Sequence, residues 1–259
     1  MRRFSLVTIL LFGSLAAQAD QPPAKNPEAA KQYQHCIQLA RTVPDEGYQE
    51  GLAWATMGGG DAAQHCQAVA LIDKQDYEGG AAKLETLAHN STASERIRAG
   101  MLDQAGQARL LAQQPDRAFS DLSAALALVP GAPDVLVDRA ESQAAQKDYE
   151  GALRDLNEAL AAKPDRVDAL VFRATAKRYL NDMAGAKADI ARVLTLDDHD
   201  QDAWLEDGIE KRLEDNPEGA RASWNKVLTL APNSDAAITA RRDLELLDSQ
   251  NQGVVEEPK

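Results

Sequence analysis

A 34-residue repeat between residues 99 and 234 limits the fold open to this chain more than any other feature. Pro130, Pro164 and Pro232 fall on one register of that period, and Asp198 stands where the missing proline would be. The segments leading into those positions repeat as well: Ala118 to Leu126, Ala152 to Leu160, Ala186 to Leu194 and Ala220 to Leu228. In each, apolar or small residues recur at steps of three and four, as in Ala152, Leu156, Ala159 and Leu160, which marks one buried helix face. Another helix precedes each of these, for example Val135 to Gln146, with Lys147-Asp148 as the turn between. The unit is therefore a helical hairpin. Ala118, Ala152, Ala186 and Ala220 are small because two helix backbones approach there. The prolines lie just beyond the second helix, where a missing N–H costs little and the next unit begins. Aromatic content is only 5%, and glycine and proline are sparse inside the periodic stretches, so helices are favoured over strands throughout.

With the prolines and Asp198 aligned, Leu102, Leu136, Leu170 and Trp204 share the large position of the first helix, and Gly106, Ala140, Ala174 and Gly208 share its small position. This pattern resembles the tetratricopeptide repeat family. The leucine of that family's leucine-glycine pair is replaced by Arg139, Arg173 and Asp207 in three copies. The resemblance implies an all-α, right-handed superhelical solenoid of antiparallel helix hairpins with a C-terminal capping helix. The expected organisation is four units at 99–132, 133–166, 167–200 and 201–234, preceded by divergent helix pairs over 27–98. In that divergent part, Asp76-Tyr77-Glu78-Gly79 matches Asp148-Tyr149-Glu150-Gly151 but is out of phase by a few residues. A capping helix is expected at 235–250, its buried side carrying Ala236, Ile238, Leu244 and Leu247, with flexible tails at 20–26 and 251–259.

Met1-Arg2-Arg3, an apolar run from Phe4 to Ala17, and Ala17-Gln18-Ala19 have the order of a secretory signal peptide over residues 1–19. Cleavage after Ala19 would deliver the chain to the periplasm or beyond. It would also remove two arginines and no acids, leaving 26 basic against 41 acidic residues, a formal charge of -15. Such a chain repels nucleic acid and anionic lipid.

Cys36 and Cys66 are the two cysteines, and an exported destination makes a disulfide the first expectation. In the family's architecture the first helices of adjacent units stack side by side, which would bring these two together. Free buried thiols are one alternative. His35 and His65 precede the cysteines, so a metal or thiol-dependent activity at these pairs is another. Adjacent helical residues point about 100° apart, however, and that spacing is poor for one tetrahedral ion. No nucleophile elbow or phosphate loop occurs, and His89 and His199 are read as turn residues without a nucleophile nearby. Gly58-Gly59-Gly60 reads as a hinge or tight turn. No catalytic residue, metal or cofactor is expected.

Arg139 and Arg173 share a repeat position, and Asp121, Asp155 and Asp189 share another, which predicts ion pairs between helices. The family resemblance implies a peptide- or protein-binding groove lined by first helices: Asp103, Gln107, Val137, Glu141, Val171, Thr175, Arg178, Leu205, Ile209 and Arg212. Asp134, Asp168 and Asp202 stand at the start of those helices, where they would cap the backbone amides or disfavour an acidic ligand. A basic or apolar segment of a protein partner is the expected occupant. The chain is thus read as an exported, non-enzymatic scaffold, with envelope protein assembly as the process it would serve.

Overall fold

The computed structural model describes residues 27–253, with no side-chain description beyond Ser249. The expected signal peptide, the 20–26 tail and the last six residues lie outside these. Among the described residues the chain is all-α, with thirteen helices and no strand. They fall into two compact units, 27–147 and 148–253.

The first unit holds α1 (Pro27–Thr42), α2 (Pro44–Thr56), α3 (Gly60–Asp73), α4 (Tyr77–Asn90), α5 (Glu95–Leu111), α6 (Pro115–Leu128) and α7 (Pro133–Ala145). Consecutive helices pack on one another, and the first helices of neighbouring hairpins also touch, α1 on α3 and α5 on α7. The second unit holds α8 (Tyr149–Ala162), α9 (Val167–Tyr179), α10 (Met183–Leu196), α11 (Gln201–Leu213), α12 (Pro217–Leu230) and α13 (Asp235–Gly253). There α9 packs on α11, and α13 packs on α11 and α12, so the last helix takes the place of a first helix.

One local device makes the hairpin turns. Gln75, Gln113, Lys147, Asn181 and Asp215 are left-handed, with φ between 58° and 67°. The N–H of the next residue then returns to a carbonyl of the preceding helix, as in Gln114 to Arg109, Asp182 to Lys177 and Asn216 to Lys211, at 2.8 to 2.9 Å. That same next residue caps the second helix: Asp76, Asp148, Asp182 and Asn216 accept the N–H of Gly79, Gly151, Gly185 and Gly219 at 2.9 to 3.0 Å.

The phase slip of the divergent repeat has a simple origin. From Gln113 onward the left-handed residues stand 34 apart, but Gln75 and Gln113 stand 38 apart. Helix α5 has 17 residues where α7, α9 and α11 have 13. The four additional residues are about one helical turn, which lengthens α5 and nearly preserves its buried face.

Packing follows small against large. Ala118, Ala152, Ala186 and Ala220 have no exposed surface. A Cβ on Gly106 would meet Leu122, and one on Gly208 would meet Trp224. In the N-terminal hairpin, a Cβ on Gly47 would lie 2.3 Å from the Ala40 backbone nitrogen, so only glycine lets α2 rest on α1.

Several details differ from expectation. Ile238 is 59% exposed, because the core side of α13 is formed by Ala236, Ala237, Ala240 and Leu247. Helix α13 runs three residues past the expected end at 250. His89 is exposed in the last turn of α4 and not in a turn between helices. The cap of α11 is Asp200, whose carboxylate accepts the Ala203 N–H at 2.6 Å, and Asp202 lies inside the first turn. Asp168 sits inside the first turn of α9, where it holds Arg166 and accepts the Ala169 N–H.

Candidate binding faces

Each unit presents its own first-helix face. In the first unit, a polar chain crosses α1, α3 and α5. The Tyr33 hydroxyl meets His65 Nδ1 at 3.0 Å, and His65 Nε2 meets Gln104 Oε1 at 2.9 Å. Burial pulls His65 down to about 4, so it is neutral at ordinary pH, and burial raises the Tyr33 hydroxyl. One helix further on, Gln107 Nε2 donates to Asp138 Oδ2 at 2.7 Å, joining α5 to α7. In the second unit Arg178 makes the equivalent bridge from α9 to Glu206 on α11. Its guanidinium also lies 4.5 Å from the Tyr179 ring centre, and that ring stacks on Tyr149 at 4.3 Å with the planes 2° apart.

The acceptors of these bridges, Gln104, Asp138 and Glu206, share one register of the 34-residue repeat, with Phe172 as its fourth member. The sequence reading passed over this register. Polar residues recurring at 34-residue intervals on a first helix are the signal that would have revealed it.

A second polar set ties first helices to second helices. Asp189 on α10 accepts Arg173 Nε and Nη2 at 2.8 and 2.7 Å and Lys177 Nζ at 2.7 Å. The Arg173–Asp189 pair is thus within a hairpin. At the same register, Arg109 meets Asp121 at 3.0 Å and also holds Glu85, and Lys211 links Asp207 and Ser223. Burial still pushes the Asp121 carboxyl up to about 6 despite the arginine beside it. Arg139 donates to Ser123 and lies over the Phe119 ring.

The expected groove residues divide between the units. Asp103 and Gln107 are half-buried on α5, and Val171, Thr175, Arg178 and Arg212 are half-buried in the second unit. Val137 is 1% exposed and belongs to the core. Leu205 and Ile209 pack against the cluster around Trp224 and α13. Glu141 is 9% exposed, its Oε2 has no hydrogen-bond partner, and burial together with the Asp138 charge pushes its carboxyl up to about 8. Glu210 on α11 is 2% exposed with Oε1 unpartnered, and burial with Glu206 and Asp207 nearby raises it to about 8.

At the N-terminal pair, the Cys36 and Cys66 sulfurs stand 1.96 Å apart and are fully buried between α1 and α3. His35 is exposed, and both ring nitrogens of His65 are engaged, so the two histidines and two cysteines do not converge as a metal site. Among the described residues, the one trio able to reach a single ion is Asp197, Asp198 and His199, all exposed. No described helix is long and apolar enough to cross a membrane.

Residues 109–178, from the end of α5 to the end of α9, match the tetratricopeptide repeat family profile. That segment is tetratricopeptide repeat sequence. Solved structures agree in fold. This repeat protein is similar to PilW, described as a widely conserved type IV pilus biogenesis factor, with a TM-score of 0.66, 16% identity, and coverage of 83% of this chain and 98% of that one. It is similar to a tetratricopeptide repeat protein from Parabacteroides merdae ATCC 43184, with a TM-score of 0.63, 17% identity, and coverage of 90% and 88%. YrrB, described as having an unusual peptide-binding site, aligns with a TM-score of 0.52, 18% identity, and coverage of 70% and 91%. The chain spans 46% of the length of a chain in the APC/C hetero-tetramer Cut9-Hcn1 that it also resembles, with a TM-score of 0.61, 16% identity and 84% of this chain covered. No curated protein sequence matches it.

Proposed function

We propose that this repeat protein is an exported, non-catalytic scaffold that holds a basic or apolar segment of a protein partner against its first-helix faces, in the assembly of envelope proteins. The observation that carries this reading is the character of those faces. Gln107, Val171, Thr175 and Arg212 retain contact with water on helices whose opposite sides are locked into the core. Glu141, on the first helix α7, is buried with one carboxyl oxygen lacking a donor, and it favours a basic occupant. The fold likeness to PilW and to the peptide-binding YrrB is consistent with a binding role.

The test is site-specific photo-crosslinking in the producing cell. A photoreactive residue at Gln107 or Thr175 is expected to yield a protein adduct, while Glu158 and Asn225, exposed on second helices, yield none. Adducts from both sets, or from neither, would sink the reading. Export and the bridge between Cys36 and Cys66 are tested by intact mass after alkylation of the unreduced, denatured protein. A chain starting at Asp20 without added alkyl groups is expected. Two alkyl groups would instead favour thiol chemistry at the His-Cys pairs.

A further inference from the structure

Resting on that binding role, we propose that Glu141, with Asp138 and Gln107 beside it, forms a subsite in the first unit that receives one lysine or arginine side chain of the bound segment. Asp138 and Glu141 are three residues apart on α7 and therefore share a face. The Gln107–Asp138 hydrogen bond sets that face against α5, where Asp103 lies one turn before Gln107. Gln107 and Asp103 keep part of their surface in water, but Glu141 is nine-tenths buried.

A buried carboxylate oxygen without a donor is costly, and the loss grows with a second carboxylate one turn away. Glu141 Oε2 is in this position. The charge that bears on it is that of Asp138, of the same sign, and the carboxyl is accordingly pushed up to about 8. A partner's ammonium or guanidinium would supply both the missing donor and the missing countercharge, converting an unfavourable burial into a charge-assisted hydrogen bond. An apolar side chain would supply neither. A bare divalent ion fits less well. No third histidine, cysteine, aspartate or glutamate joins Asp138 and Glu141 around a common point, the one such trio among the described residues being Asp197, Asp198 and His199 in the other unit.

The experiment uses the exported chain and two fluorescein-labelled ten-residue alanine-serine peptides, one with a central lysine and one with norleucine in its place. Anisotropy titrations should show the lysine peptide bound about tenfold more tightly. Glu141→Gln should abolish that preference while leaving norleucine-peptide affinity and the thermal melt intact. Asp138→Asn, which keeps an acceptor for Gln107, should reduce the preference. Glu210→Gln, an equally buried acid in the other unit, should leave it unchanged. The inference is overturned by equal binding of the two peptides, by absence of lysine-peptide binding up to 1 mM, or by a preference that survives in Glu141→Gln. Displacement of the lysine peptide by 1 mM calcium in the parent chain but not in Glu141→Gln would also overturn it, by naming a metal ion as the occupant. Equal binding removes this subsite and leaves the binding faces standing; failure of first-helix crosslinking removes the faces themselves.

Discussion

Replacing Asp189 with asparagine should cost the second unit about 3 kcal/mol. The carboxylate is 5% exposed and accepts three charge-assisted hydrogen bonds, two from Arg173 and one from Lys177, at 2.7 to 2.8 Å. Asparagine keeps the shape but turns an N–H₂ toward the two cations and removes their countercharge. Stripping one partner from a buried ion pair costs about 3 to 5 kcal/mol. The lower end applies, because the Arg173 and Lys177 side chains retain 21% and 17% of their surface, and Arg173 keeps a bond to Asn157 at 3.0 Å. Urea unfolding reports this unit through Trp204 and Trp224 once Trp54 of the first unit is replaced by phenylalanine. The midpoint should fall by about 1 to 2 M. Arg192→Gln breaks the exposed pair with Asp165 and serves as a control expected to cost about 0 to 1 kcal/mol. The combined variant Asp189→Leu, Arg173→Met, Lys177→Met should recover most of the loss, since an apolar replacement leaves no stranded charge. A loss below about 1 kcal/mol for Asp189→Asn would refute the reasoning, because it would mean the cations rehydrate freely.

Gly47→Ala places a methyl 2.3 Å from the Ala40 backbone nitrogen, and backbone cannot move aside as a side-chain tip can; about 1 to 3 kcal/mol of destabilisation is expected in a thermal melt of the N-terminal hairpins. Gln113→Gly should act the other way, raising stability by about 0.5 to 1 kcal/mol, because Gln113 holds φ 58° in the turn before α6 and glycine adopts it without the Cβ clash. The Glu210 carboxyl is raised from its ordinary 4.5 to about 8, so the folded state keeps its proton where the unfolded state has lost it. Its contribution to stability is complete below about pH 4.5 and disappears as pH rises through 8, and Glu210→Gln should flatten the fall in urea midpoint across that window. An unchanged pH profile in that variant would show Glu210 ionised in the fold.

Much of the architecture could be read from residue order alone. The repeat spacing of Pro130, Pro164, Asp198 and Pro232, the buried alanines at Ala118, Ala152, Ala186 and Ala220, and the pairing of Arg173 with Asp189 all express relations that recur with each hairpin. The candidate binding faces were less legible. Val137 lies on a first helix as expected but is buried in the core, while Leu205 and Ile209 are half-buried against the C-terminal cluster. Gln104, Asp138 and Glu206 were passed over although they share a register, because nothing local distinguishes a bridging side chain from a solvated one.

The sequence by itself determined the helical hairpin and its period, since helix faces, turn residues and caps depend on neighbours three to five positions away. Tertiary structure alone decided where the additional turn of α5 goes, why Asp200 and not Asp202 caps α11, and that Ile238 faces outward while Ala237 and Ala240 face the core. It alone also decided that Glu141 lies buried beside a like charge. The reason is physical. Burial and pairing are set by contacts between helices 16 to 39 residues apart, as in Arg173 with Asp189 or His65 with Gln104, and a pattern read along one helix carries no record of what packs against it.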